Sequence, residues 1–170
     1  MAYAARHPDQ VSHLVPVDIR PALNREKMPN RQMARLTAEN GHLTFESSDA
    51  AFVARNVTNP FTPDESVRHH IRHLLKQQPD GRWTFKHDPR VDYHWAPANL
   101  WDELPKVQAP TLIVRGGRPT ALPEEVAEQM RSAFPKAELV TIEKSGHTVP
   151  EDTPEEFIQA VEAFLARYPA

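Results

Sequence analysis

Pro110-Thr111-Leu112-Ile113-Val114-Arg115-Gly116-Gly117 is the stretch on which the fold turns. It is a continuous apolar run rather than an alternating one, and it breaks at a glycine pair, as expected of a strand buried on both faces of a parallel sheet. Downstream, Pro123-Glu124-Glu125 opens a helix with acids where the helix dipole favours them, and Val126, Met130, Ala133 and Phe134 mark its inner face. A further strand, about Glu138 to Ile142, runs into the turn Ser145-Gly146-His147, where Gly146 is expected to let the backbone bend tightly. The last helix starts at Thr153-Pro154-Glu155-Glu156, a capping box, and Phe157, Val161, Phe164, Leu165 and Tyr168 recur on one face. Strand, helix, strand, helix with short links predicts parallel crossover units.

Upstream, Val11 to Ile19 holds another short apolar run, Leu14-Val15-Pro16-Val17, ending in Asp18-Ile19. Pro16 lacks a ladder donor, so this strand is expected to bulge there or to pair poorly along one edge. Met1 to His7 reads as a helix halted before Pro8, with no capping residue at its start. From about Asn24 to Trp101 the pattern changes to short helices with His-rich and Arg-rich joints and few strand signals. Its clearest helix begins at Thr62-Pro63-Asp64-Glu65, read as a capping box, with Val67, Ile71, Leu74 and Leu75 as the buried stripe. The organisation expected is an α/β core from residues 1–23 and 102–170, with residues 24–101 inserted as a helical cap.

Composition narrows the function classes. The 170 residues are 39% hydrophobic and 25% charged, which suits a soluble globular protein. The net charge of −3 is spread without a basic stripe, which argues against nucleic acid and anionic membrane surfaces and for a small-molecule partner. Cys is absent, so disulfides, thiolate nucleophiles and Cys-based zinc sites are ruled out together, and a cytoplasmic location is expected. No apolar run reaches membrane-spanning length, and the first residues lack the order of a secretory signal.

Three stretches resemble one family. Ala2-Tyr3-Ala4-Ala5-Arg6-His7-Pro8 with Val11-Ser12-His13-Leu14-Val15 is similar to the helix after the nucleophile elbow of α/β-hydrolases and to the sixth strand of their sheet. Leu104 to Gly117 resembles the approach to their seventh strand and the strand itself. Ser145-Gly146-His147-Thr148-Val149-Pro150-Glu151-Asp152-Thr153-Pro154-Glu155-Glu156-Phe157 resembles the loop bearing the family's general base and the helix after it. Order and spacing cover nearly the whole chain, with the middle segment where the family inserts its cap. The fold implied is an incomplete α/β-hydrolase, about three parallel strands flanked by helices. The resemblance makes His147 the general base, and a turn at the carboxyl end of a parallel strand is where a ligand-facing imidazole belongs. The other reading of His147 is a loop hydrogen bond and nothing more. No cofactor is implied, because the family's common chemistry uses side chains alone.

The chain departs from the family's pattern in two places. The nucleophile's Gly-x-Ser-x-Gly turn is not found: Ser12, Ser47, Ser48, Ser66, Ser132 and Ser145 all lie outside such a frame. Where the family usually has an Asp after the seventh strand, this sequence reads Arg118-Pro119-Thr120-Ala121, and Thr120 cannot stabilise an imidazolium as a carboxylate does. Asp18 is the substitute implied, since some members carry the acid at the end of the sixth strand; its alternative role is to fix the turn that follows. The reading is therefore a serine-type hydrolase of ester-like small molecules in a full-length parent, here in truncated form. The alternative is a non-catalytic binding or regulatory module on the same fold. With the earlier strands absent, the sixth strand is expected to present an open edge that favours a homodimer.

Two other constellations compete for a function. His69, His70 and His73 place imidazoles four apart on a helix, a spacing that can hold zinc, but no Glu follows the first His and solvated or packing roles are the simpler expectation. Trp83, Phe85, Tyr93, Trp95 and Trp101 could line a substrate pocket, although a core role is favoured for so large an apolar set.

Overall fold

The computed structural model describes residues 1–23, 41, 43–58, 60–88, 90, 98–118 and 120–169. Along the chain run α1 (Ala2–Arg6), α2 (Ser48–Thr58), α3 (Asp64–Leu74), β1 (Leu75–Gln77), β2 (Trp83–Phe85), β3 (Thr111–Gly116), α4 (Glu124–Ala133), β4 (Ala137–Ile142), α5 (Val149–Asp152) and α6 (Pro154–Arg167). The chain divides into two units, one of Met1–Leu23 with Ala98–Ala170 and the other of Asn24–Pro97.

In the first unit β3 is the central strand, which explains its unbroken apolar character. It pairs in parallel with β4, from Thr111 opposite Ala137 to Gly116 opposite Ile142. Its other side takes the Leu14–Asp18 segment, also in parallel, through bridges at Leu14–Thr111 and Val17–Val114. The ladder there reads Leu14 N to Pro110 O at 3.0 Å, Leu112 N to Leu14 O at 2.9 Å, Val114 N to Pro16 O at 3.0 Å and Asp18 N to Val114 O at 2.7 Å. In this register a residue other than proline at 16 would donate to Leu112 O. Pro16 cannot, and the strand is reduced to two separate bridges, as its sequence leads one to expect.

Alternate residues of β3 face opposite layers. Ile113 joins Ala4 of α1, Leu104 and Val107, and Ala127 and Met130 of α4 in one buried cluster. Leu112 and Val114 join Ile142, Val149 and Phe164 in the other, with Phe157, Val161 and Tyr168 of α6 packed against it. Helices on both faces of a parallel sheet give the three-layer α/β arrangement expected. Leu165 was placed on the inner face of α6 but is 42% exposed. One residue beyond Phe164, it is turned about 100° around the helix axis and misses the sheet.

The helix caps differ from those read. Thr153 is the N-cap of α6 but makes no side-chain cap bond. Its hydroxyl lies 3.4 Å from Val149 O, because α5 ends immediately before it and offers a nearer acceptor. In the second unit the cap of α3 is Pro63 rather than Thr62, again without a side-chain cap bond.

Among its described residues the second unit holds strands as well as helices. Val67, Ile71 and Leu75 are buried with Ala51 and Phe52 of α2, whereas Leu74 is exposed. The chain leaves the helix at Leu75, whose inward side chain belongs to strand β1. β1 and β2 form an antiparallel hairpin, and Phe45 bridges to Trp83 on its far side. Pro79-Asp80-Gly81 makes the turn: Gly81 has φ +85°, and Asp80 Oδ1 accepts Arg82 N at 3.0 Å. That proline-aspartate-glycine triplet is the signal that could have revealed the hairpin.

Candidate active site

The carboxyl ends of Leu14–Asp18, β3 and β4 converge, and each contributes a part of one cluster. Asp18 closes its segment with its backbone N–H bonded to Val114 O, and its φ of +47° lies in the left-handed region. Asp is among the few residues that tolerate that conformation, which here turns the carboxylate back over the end of the sheet. The side chain is fully buried. A carboxylate removed from water needs donors, and it has them. Gly116 N lies 3.2 Å from Oδ1, Ala121 N lies 3.0 Å from Oδ2, and the Thr120 hydroxyl donates to Oδ1.

The remaining partner is His147, whose Nδ1 lies 2.8 Å from Asp18 Oδ2. A carboxylate already receiving three donors acts as acceptor, so Nδ1 is the nitrogen that donates, and in the neutral ring the lone pair is then on Nε2. The imidazole is 59% exposed, with its buried partner behind it. Such an arrangement is suited to general-base chemistry, in which one ring nitrogen is anchored and the other meets a reactant. Thr120, a poor acid in its own right, therefore donates to the Asp18 carboxylate from the position where a carboxylate was sought. Its hydroxyl role was missed, although its place just after the seventh-strand glycines had drawn attention to it.

The histidine turn owes its closeness to β3 to a different glycine from the one expected. Positive φ occurs, among the described residues, at Asp18, Gly41 and Gly81 but not at Gly146. The constraint falls on Gly116, where a Cβ would overlap the carbonyl oxygen of Gly146 and stand 3.0 Å from Ser145 O. Gly117 is equally crowded, its Cβ position lying 2.5 Å from Glu143 Cα. The pair lets β3 end directly beneath the turn, and Arg118 N then binds Ser145 O at 3.0 Å. The glycines that end the apolar run are thus a close-approach device as well as a strand breaker.

The chain belongs to the α/β-hydrolase family. The model of the alpha/beta hydrolase family matches residues 21–160, a span that includes His147 and stops short of Asp18. Esterase Rv0045c of Mycobacterium tuberculosis (strain ATCC 25618 / H37Rv) is 30% identical over 165 residues, covering 95% of this chain and 55% of that protein. Mouse sn-1-specific diacylglycerol lipase ABHD11 is 39% identical over 57 residues, 34% of this chain and 19% of the lipase. A solved structure of the M. tuberculosis esterase superposes with a TM-score of 0.74 at 27% identity, covering 96% of this chain and 57% of the other. E-2-(acetamidomethylene)succinate hydrolase superposes at 0.81 over 97% of this chain and 61% of its own, with 21% identity, a likeness of fold. This α/β-hydrolase chain therefore spans little more than half the length of the curated esterase it matches over most of its length.

His69 and His73 stack with ring centroids 4.5 Å apart on α3, but among the described residues no group of three or more metal-ligating side chains could hold an ion. Trp83 and Phe85 pack against the core of the second unit and Trp101 against that of the first. Tyr93 and Trp95 lie outside the described residues. Among the described residues no helix is long and apolar enough to cross a membrane.

Proposed function

We propose that this chain supplies the acid–base half of a serine-type esterase acting on small ester-like substrates in the cytoplasm, with His147 as general base and Asp18 as its acid partner. The contact of 2.8 Å between His147 Nδ1 and the buried Asp18 carboxylate, at the carboxyl ends of parallel strands, carries the reading. Kinship to an esterase over 95% of the chain supports it.

The nucleophile belongs to a Gly-x-Ser-x-Gly turn that the 170 residues do not contain, so the activity is assigned to a longer polypeptide. There His147 Nε2 takes the serine proton as the hydroxyl attacks the ester carbonyl. It returns that proton to the departing alkoxide, and the cycle repeats with water to free the acid. Asp18 orients the ring and stabilises the transient imidazolium. Residues 24–97 are the unit proposed to act as the cap.

Turnover of a p-nitrophenyl ester tests the assignment. A polypeptide extended upstream through such a turn should hydrolyse the ester, and His147→Ala should lower kcat by about 10²–10⁴-fold, the usual worth of a positioned general base. Near-background rates that do not respond to the substitution would instead favour a binding or regulatory module on the hydrolase fold.

A further inference from the structure

Asp152 has no part in the dyad, yet its carboxylate is fixed to the turn on both sides of the base. Oδ2 accepts the backbone N–H of Gly146 at 2.8 Å and lies 3.4 Å from the Ser145 hydroxyl. Oδ1 accepts the Thr148 hydroxyl at 2.8 Å. Residues 145, 146 and 148 are thus tied to one side chain, while the residue between them, His147, bonds instead to Asp18. Gly146 and Ser145 are buried, so their donors require an acceptor inside the protein. Asp152 provides one from the last residue of α5, whose own N–H returns to Thr148 O at 2.9 Å. Turn and short helix close on each other through this residue.

We propose that Asp152 is the positioning residue of the acid–base pair: its carboxylate sets the Ser145–Thr148 turn so that the His147 ring presents Nδ1 to Asp18. The inference rests on the assignment of His147 and Asp18 above. It adds that the ring's orientation is set through a second carboxylate as well as by the acid. Two acceptor oxygens are needed, because the Gly146 N–H and the Thr148 hydroxyl both donate. An alanine satisfies neither donor. An asparagine retains one acceptor, and its amide nitrogen faces the other donor.

The test reads the Nδ1 proton of His147 by nitrogen-15 NMR of the uniformly labelled 170-residue chain, with His147→Ala assigning the signal. In the unchanged chain this proton should appear downfield and exchange slowly with water. Asp18→Ala should abolish the signal; its persistence there would overturn the acid–base pair itself, whatever Asp152 does. Asp152→Ala should also abolish or broaden it while backbone amides of β4 and α6 keep their positions, a change that loss of bulk stability alone does not produce. Asp152→Asn should leave a weakened signal. If Asp18→Ala removes the proton signal and Asp152→Ala leaves it unchanged, the pair stands and the positioning role is overturned. If Asp152→Ala does not fold, Asp152→Asn decides by the same criterion: a weakened or lost signal supports the role and an unchanged one overturns it.

Discussion

Gly116 shows how narrowly single residues constrain the site. A methyl group there meets the backbone of Gly146 and Ser145, which cannot step aside as a flexible side chain would. Gly116→Ala should therefore cost about 1–3 kcal/mol by chemical denaturation, in the range of overpacked sites, and should displace the His147 turn. A variant as stable as the parent would show that the turn is free to move. Asp18 combines burial, a left-handed backbone and four bonding partners, so the part it plays cannot be taken over by a shape-matched neutral residue. Its candidacy was legible through the family pattern, as was that of His147. The supports were not. Thr120 and Ala121 meet Asp18 across about a hundred residues of chain, and Asp152 reaches back over a turn; such contacts depend on tertiary geometry that no local spacing encodes.

At the scale of elements, α6 separates buried from exposed positions one residue apart. Phe164 is fully buried against Leu112 and Val114, so Phe164→Ala should cost about 3–5 kcal/mol by cavity formation, measured as a shift in the denaturation midpoint. Leu165→Ala, on the exposed side, should cost well under half of that. Equal losses would contradict the helix orientation. The helix also joins β4 through Arg167 and Glu138. The guanidinium hydrogen bond holds the Glu138 carboxyl below its usual range, with charge attraction adding to it and burial opposing. Because the folded value is the lower one, the contribution is present above the ordinary glutamate range and lost as acid pH protonates the carboxylate. The pair lies at the surface, Arg167 about half and Glu138 about a third exposed, so Glu138→Gln should leave stability at neutral pH nearly unchanged and slightly flatten its fall in acid.

Periodicity revealed the strands and the long helices because each carries a one-sided or continuous apolar pattern. It failed at ends: Leu74 and Leu165 sit one residue off the buried face, and the capping threonines lie beside proline or a second helix that changes which acceptor is nearest. The hairpin of the second unit was hidden because strands of three residues are too short to show alternation.

For the molecule as a whole, the Leu14–Asp18 segment pairs with β3 on one side, and among the described residues no strand pairs with its other side. Unpaired strand edges are templates for another strand. The 170-residue chain should therefore associate as concentration rises, seen by light scattering as growing mass. A stable monomer throughout would contradict that expectation. Parallel order and helices on both faces were readable from the order of segments, since each stretch is recognisable in itself.

The most direct measurement of the central claim is a double-mutant comparison in the polypeptide that carries the nucleophile, with kcat/KM for a p-nitrophenyl ester recorded for His147→Ala, Asp18→Asn and both together. If Asp18 acts only by orienting and stabilising the His147 imidazole, the double variant should be no slower than His147→Ala alone, because groups that act as a unit are lost once. Losses that multiply would mean that the two residues work independently, and the dyad would have to be abandoned.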